Sequence, residues 1–501
     1  MRKAALQNLG CKVNAYETES MRQMLEQAGY EIVPFGEAAD VYVVNTCSVT
    51  NIADRKSRQM LHRAKKKNPD SAVVAAGCYV QTSREQVQAD GAVDILIGNN
   101  RKHELLALLE QYFQEHPPKE REEGEGCSGL GHGTAKEAHP YISVGNIAEE
   151  REYEELGIRR TGEHTRAFLK VQDGCNQFCS YCIIPYARGR VRSRGMEDVV
   201  REVETLAQEG YREIVLTGIH LSSYGTDWAQ EKPAEAGRQP NLLEVSPPVS
   251  SIGKDTQGEA ARWQGSKLLE LIQKVHGIGG IDRIRLGSLE PGIVTEEFAR
   301  GLSRLPKVCP HFHLSLQSGC DATLGRMNRK YTCEEYEKGC RLLREYFSHP
   351  AITTDVIVGF PGETEEEFEA TRKFLQKINF FEIHIFKYSL RKGTKAAQME
   401  RQIPEGTKNI RSDLLFEDLS AMNREYLEWH IGRELEVLME EEVSFGGKRY
   451  VLGHTREYVK AAVPFPEEGG ERLENKLVRG TAVSMLKEHI LLLQNFSIFL
   501  K

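Results

Sequence analysis

Gly174-Cys175-Asn176-Gln177-Phe178-Cys179-Ser180-Tyr181-Cys182 holds three cysteines spaced by three residues and then by two. Three thiolates on one short loop can hold three irons of a cubic iron–sulfur cluster, for which cysteine is the usual protein ligand. The fourth iron is then open to a small molecule. A structural zinc site asks for four ligands, usually as two separated C-x2-C pairs, and no second pair lies nearby in the chain. The stretch therefore predicts a cluster with one open iron, on a loop that follows a strand.

Around that loop the chain is long enough, at 501 residues, for two to four domains, each with its own core. With 40% hydrophobic and 28% charged residues it has the composition of an ordinary soluble protein. No apolar run reaches the ~18 residues of a membrane span, and the polar start Met1-Arg2-Lys3 does not resemble a secretion signal. Eleven cysteines, an odd number, argue for reduced thiols and a cytoplasmic location rather than a disulfide framework. A net charge of −7 gives no global pull toward nucleic acid, so RNA contacts need local basic patches.

Residues 1–112 alternate strand and helix signals. Strands are expected at Ala4–Leu9, Asp40–Asn45, Ser71–Ala76 and Asp94–Ile97, with helices at Glu17–Ala28 and from about Ile52 to Lys67. This alternation predicts an open parallel α/β sheet. Cys11, Cys47 and Cys78 each follow a predicted strand. In such a sheet ligands gather outside the carboxyl ends of the strands. Free cysteine is also a common core residue, but unrelated core thiols have no reason to share one sheet edge. A second, auxiliary cluster is expected there.

Residues 113–160, rich in Glu, Gly and His, read as a linker; Cys127 within it has no partner at ligand spacing. Over 161–431 six strands are expected: Ala167–Gln172, Glu213–Thr217, Arg283–Gly287, His311–Leu316, Thr353–Val358 and Phe381–Lys387. Six units are too few for a closed eightfold barrel and suit an open partial (β/α)6 barrel, its site on the loops after the strands. Thr226–Ser266 breaks the rhythm and reads as a disordered insertion, with helix resuming at Lys267–His276. Residues 432–501 carry short strand signals, among them Leu435–Met439 and Tyr458–Val463, and predict a small β-barrel.

Matching stretches run through most of this order. They include Leu9-Gly10-Cys11-Lys12-Val13-Asn14, Asn45-Thr46-Cys47-Ser48-Val49-Thr50, Gly77-Cys78, Asp173–Arg194, Leu216-Thr217-Gly218-Ile219-His220, Gly287–Pro291, His313–Gly319 and Asp355–Thr364. In these the chain resembles the radical S-adenosylmethionine methylthiotransferases. Gly453–Tyr458 makes the last part similar to the TRAM module that binds tRNA. The stretch from Gly10 to Glu19, and Thr217–His220, look most like the branch acting on N6-threonylcarbamoyladenosine in tRNA.

The resemblance implies that Cys175, Cys179 and Cys182 hold the four-iron cluster that binds S-adenosylmethionine. It implies that Cys11, Cys47 and Cys78 hold an auxiliary four-iron cluster carrying the sulfur. One S-adenosylmethionine then methylates that sulfur, and a second yields the radical that takes hydrogen from C2 of the adenine. The implied partners are tRNA, a reductant protein such as flavodoxin or ferredoxin, and a sulfur donor.

Gly218, Ser288, Glu290 and Gln317 stand at barrel strand ends, where cofactor contacts belong, although each also suits a strand-end turn or a core hydrogen bond. Arg188, Arg190, Arg192 and Arg194 alternate and, on an extended segment, would point one way to hold substrate phosphates. The run from Arg55 to Lys67 is either a second patch or a solvated helix face. His311 and His313 read as ordinary strand residues, and Cys309, Cys320, Cys333 and Cys340 as structural thiols. The competing functions are a methylthiotransferase acting on isopentenyladenosine or on a ribosomal-protein aspartate, and a non-catalytic iron–sulfur RNA-binding sensor.

Overall fold

The computed structural model describes residues 1–117, 140–159, 165–229, 256–466 and 471–499, with backbone alone at 229 and 256–264. It forms two compact units, Met1–Ile158 with Ile183–Arg190, and Arg159–Cys182 with Val191–Lys501.

The first unit runs β1 (Lys3–Asn8), α1 (Lys12–Gln27), β2 (Glu31–Ile32), β3 (Val41–Thr46), α2 (Asn51–Lys67), β4 (Ala72–Gly77), α3 (Cys78–Thr82), α4 (Arg84–Gln88), β5 (Ile95–Ile97), α5 (Leu105–Glu115) and β6 (Tyr141–Ser143). The later excursion adds α6 (Ile184–Ala187). The six strands form one parallel sheet in the order β2-β1-β3-β4-β5-β6. Every residue of β3 and β4 is buried, as expected of central strands covered on both faces. Alternate side chains feed two cores. Tyr42, Val44 and Val73 meet Leu61 and Ala64 of α2, while Val41, Val43 and Val74 meet Met21 and Leu25 of α1 and Leu109 of α5.

Two boundaries differ from expectation. Helix α1 begins at Lys12, directly after Cys11. The expected linker is in part structured: α5 continues to Glu115, and Tyr141–Ser143 pairs with Ile95–Ile97. A three-residue edge strand carries too few side chains to show a period. Cys127 lies outside the described residues.

The second unit opens with β7 (Arg166–Asp173), β8 (Arg192–Ser193), α7 (Met196–Gln208), β9 (Glu213–Gly218), α8 (Thr256–His276), β10 (Arg283–Leu286) and α9 (Glu296–Ser303). It continues with β11 (His311–His313), α10 (Asp321–Arg326), α11 (Cys333–Tyr346), β12 (Ala351–Val358), α12 (Glu365–Ile378), β13 (Glu382–Lys387) and α13 (Glu405–Glu428). Strands β7, β9 and β10 are neighbours in one parallel set, and β11, β12 and β13 in another. Parallel bridges Ile284↔Val308 and Leu289↔Leu314 join them, giving the expected six-strand partial barrel. The short β8 adds an antiparallel edge to β7. Of the expected insertion, residues 256–266 are helical, since α8 starts at Thr256; residues 230–255 lie outside the described part.

The chain ends in β14 (Glu434–Phe445), β15 (Lys448–Thr455), β16 (Lys460–Pro464), β17 (Leu477–Lys487) and β18 (Ile490–Ile498), a closed barrel in the order β14-β15-β16-β18-β17. The β14–β15 hairpin turns on Gly446 and Gly447, both at positive φ, as a two-residue turn between twisted strands requires. Among the described residues no helix is long and apolar enough to cross a membrane.

Candidate metal centres

In the first unit the sheet register sets the positions of three cysteines. Asn8 pairs with Asn45, Asn45 with Ala76, and Thr46 with Gly77. Cys11, Cys47 and Cys78 therefore leave the same ends of three adjacent strands, which lie about 4.8 Å apart. Cys11 is the N-cap of α1 and Cys78 the first residue of α3. Gly10, at φ 108°, makes the turn. A Cβ there would lie 2.9 Å from the Cβ of Cys47, so only glycine lets the loop close over that residue.

The three thiols feel one another. Burial pushes Cys47 up to about 11, and the neighbouring Cys78 and Cys11 add to the rise while Arg188 opposes it. Cys11 presents some surface to solvent, yet the protein around its thiol also raises its pKa against the pull of Arg188. Cys11 and Cys47 thus resist ionising unless a cation arrives to replace their protons. That donor set and geometry fit a cluster.

A polar network backs the thiols. The Arg188 guanidinium donates to Glu17 Oε1 at 2.8 Å, to Glu17 Oε2 at 3.0 Å and to Asn14 Oδ1 at 2.6 Å. Lys102 Nζ lies 3.1 Å from Glu17 Oε2 and donates to Asn99 Oδ1 at 2.9 Å. Asn99 Nδ2 in turn lies 3.5 Å from Cys78 Sγ and donates to the Ala187 carbonyl at 2.7 Å. Arg188, Glu17 and Lys102 are fully buried, so the charges compensate one another away from water.

In the second unit Cys175, Cys179 and Cys182 follow β7. Gly174 and Phe178, both at positive φ, curl the loop, and the Cys182 amide donates to the Cys179 carbonyl at 3.0 Å. Residues after α10 pin the loop from beneath. The Ser180 amide donates to the Met327 carbonyl at 3.0 Å, and Asn328 Nδ2 donates to the Phe178 carbonyl at 2.9 Å. Tyr181 anchors it in an apolar cluster with Met327, Phe360, Tyr388 and Ile357. Arg329 reaches Cys179 Sγ with one nitrogen at 3.2 Å and Glu290 with the other at 2.9 Å. Burial also raises the Cys175 thiol, and the adjacent Cys182 and Cys179 add to that rise. This loop too has the donor set for a cluster.

The expected cofactor contacts fall in different surroundings. Burial acts to raise the pKa of Glu290, but His220 and Arg329 outweigh it and keep the carboxylate ionised below the usual range. Gln317 is buried, sits at φ 72°, and its amide donates to the Asp355 carbonyl at 2.8 Å. Ser288 is exposed just past β10. At Gly218 a Cβ would meet Gln172 Oε1 at 2.8 Å; that oxygen accepts from the His220 amide at 2.7 Å. Sequence reasoning missed Arg329, Asn99 and Lys102. Each is one polar residue outside any spacing pattern, whereas Asn14, Glu17 and His220 of the same networks stood inside quoted stretches.

The expected arginine stripe is corrected. Arg188 ends α6 whereas Arg192 lies on β8, so the segment is not one extended face. Arg188, Arg192 and Arg194 are buried and face internal carboxylates: Glu17 for the first, Asp173 at 3.8 Å for the second and Glu202 for the third. Arg190 is half-buried. In α2, by contrast, Arg55, Lys56, Arg58, Arg63, Lys66 and Lys67 are exposed, while Lys65 pairs with Asp94 at 2.8 Å.

Gly453–Tyr458, the stretch that carries the resemblance to the TRAM module, packs on the partial barrel. Arg283 donates to the His454 carbonyl at 2.9 Å, Arg285 to the Arg456 carbonyl at 2.9 Å and Arg166 to the Tyr458 hydroxyl at 2.6 Å. Glu213 Oε1 binds Arg285 Nε at 2.8 Å beneath them.

Residues 3–98 match the model of "Uncharacterized protein family UPF0004", and residues 169–375 that of the "Radical SAM superfamily". A threonylcarbamoyladenosine tRNA methylthiotransferase MtaB of Bacillus subtilis (strain 168) is 39% identical over 481 residues, 96% of this chain and 93% of that protein. Its counterpart in Aquifex aeolicus (strain VF5) is 37% identical, over 90% of this chain and 95% of that one. A tRNA-2-methylthio-N(6)-dimethylallyladenosine synthase of Acetivibrio thermocellus (strain ATCC 27405) is 32% identical, over 90% of this chain and 83% of that one.

Proposed function

This chain belongs to the radical S-adenosylmethionine methylthiotransferase family, and from that premise we propose that it adds a methylthio group to C2 of N6-threonylcarbamoyladenosine, 3′ of the anticodon in tRNA. The observation that carries the reading is the meeting of Cys11, Cys47 and Cys78 on one sheet edge, in a chain that also has the Cys175, Cys179 and Cys182 loop. An iron–sulfur sensor has no use for two such triplets together with a six-strand partial barrel. The threonylcarbamoyl substrate is favoured over dimethylallyladenosine by two relatives named for it at 39% and 37% identity, against 32% and 33% for synthases of the dimethylallyl derivative.

In this reading Cys175, Cys179 and Cys182 hold the cluster that takes S-adenosylmethionine, and Cys11, Cys47 and Cys78 hold the auxiliary one. When bound, these groups supply an electron, a 5′-deoxyadenosyl radical and the sulfur to be methylated and transferred. The protein's own part is to hold the thiols ready, exclude water and orient the nucleotide. Arg188, Lys102 and Asn99 fix the N-terminal thiols from behind. Arg329 steadies the loop at Cys179 and keeps Glu290 ionised, and Glu290, Gln317, Gly218 and Ser288 line the strand ends where the cofactor sits. Met1–Ile158 with Ile183–Arg190 form the sulfur-bearing unit, and of the second unit the part up to residue 431 forms the radical domain and 432–501 a tRNA-binding barrel. A flavodoxin- or ferredoxin-like reductant and a sulfur donor complete the cycle in the cytoplasm.

Nucleoside mass spectrometry of tRNA from a deletion strain tests the substrate. The 2-methylthio derivative of threonylcarbamoyladenosine should vanish and the unmodified precursor accumulate, with the dimethylallyl pair unchanged. Loss of the dimethylallyl derivative instead would reassign the substrate. Anaerobic incubation with S-adenosylmethionine and dithionite tests the enzyme class, because a sensor would form no 5′-deoxyadenosine.

A further inference from the structure

Three further donors, none of them a cysteine of either triplet, gather on the partial barrel. His313 ends β11, Asp355 lies on β12 and His384 on β13. Asp355 Oδ2 lies 3.3 Å from His313 Nε2, and Oδ1 lies 3.1 Å from His384 Nδ1. One ligand atom from each of the three falls within 4.8 Å of the others. Metal bonds of about 2.0–2.2 Å at tetrahedral or octahedral angles set neighbouring donors roughly 3.0–3.5 Å apart, which is the spacing of these contacts.

The strand register puts the three side chains on the inner face. Asp355 and His384 are direct register partners on neighbouring strands. On β11 the alternate residue Phe312 packs edge-on against Phe347 at 4.9 Å, on the helix side, so His313 points the other way. Ile357, two residues or about 7 Å along β12 from Asp355, packs against the same apolar cluster of Met327, Phe360 and Tyr388 that anchors Tyr181 of the cysteine loop.

Its surroundings suit a cation. His313 Nδ1 lies 3.0 Å from Thr353 Oγ1, the kind of outer partner that fixes the tautomer of a ligating imidazole. Glu382, on the same face of β13, brings Oε1 to 3.9 Å from His384 Nε2, the ring nitrogen turned away from Asp355. The His384 side chain is 51% exposed, so a bound ion keeps positions open to solvent.

We propose that His313, Asp355 and His384 form a binding site for a divalent first-row cation, zinc or ferrous iron, on the inner face of the radical domain. Two imidazoles and one carboxylate with open positions are a set that both ions accept. His313, read from sequence as an ordinary strand residue, is a ligand in this assignment.

Zinc is the probe, because iron is masked by the clusters. Anaerobically purified, cluster-loaded enzyme is equilibrated with zinc, dialysed against metal-free buffer, and its zinc, iron and sulfide are measured together. The wild type should retain about one zinc per chain. Asp355→Asn and His384→Asn should each retain less than a tenth of that, with iron and sulfide unchanged. A wild type without zinc, or either variant holding as much as the wild type, overturns the site. Should Asp355→Asn also lose iron through misfolding, the half-exposed His384→Asn decides alone. Iron and sulfide content report on the two cluster sites independently, so failure of this site and failure of the methylthiotransferase reading give different results.

Discussion

At the scale of single residues, the cysteines were legible and their partners were not. A thiol after a predicted strand, or three on one loop, is a pattern; the lone Lys102, Asn99 or Arg329 is defined only by what it touches. Replacing any one of Cys11, Cys47 or Cys78 with alanine should lower iron from about eight to about four per chain, while 5′-deoxyadenosine is still formed. A variant that kept all its iron would remove that cysteine from the ligand set. Arg188 carries the second residue-scale prediction. Arg188→Met leaves Glu17 buried with Lys102 alone, and removing one partner of a buried pair costs about 3–5 kcal/mol. Urea unfolding of the cluster-free protein should register that loss, and Arg188→Lys should recover only part of it because lysine cannot reproduce the two-pronged contact.

At the scale of elements, periodicity worked wherever an element was long enough to show it. Apart from β11, which ends at His313 rather than Leu316, the expected strands of the parallel sheet and the partial barrel, and α2, lie within a residue or two of their expected places, whereas β6 and the early start of α8 carry no period that a linear reading could separate from loop. Helix α2 shows what its pattern left undecided. Thr50 caps its start by accepting from the Ala53 amide at 3.2 Å, Ser57, Leu61 and Ala64 face the sheet, and the basic residues face solvent. If that face meets tRNA phosphates, Arg63→Ser with Lys66→Ser should weaken binding and flatten the log–log salt dependence by about one per lost contact. An unchanged slope in a filter-binding titration would return α2 to a solvated face. Three of the four arginines after the cysteine loop went the other way, since burial of Arg188, Arg192 and Arg194 beside carboxylates leaves them structural.

At the scale of the whole molecule, the terminal barrel is held to the radical domain through buried charge. Burial acts to raise Glu213, but Arg285, Arg166 and Arg283 outweigh it and hold its pKa down at about 2. A carboxyl depressed on folding stabilises the native state above its unfolded value of about 4.5, and that stability is lost as pH falls toward 2. The melting temperature of the wild type should therefore drop steeply between those limits. Glu213→Gln should lose several kcal/mol at neutral pH, about 3–5 by the cost of breaking such a pair, and show a shallower acid dependence. Equal slopes in the two proteins would contradict this account of the joint. The order of domains, the alternation of strand and helix, and the thiol chemistry were written in the sequence, because periodicity and cysteine spacing are local properties of the chain. The burial of Arg188, the docking of Gly453–Tyr458 and the meeting of His313, Asp355 and His384 were decided by tertiary structure alone. Each joins residues far apart in the chain, and strand register together with the cost of burying an unpaired charge, neither a local property, selects which of them meet.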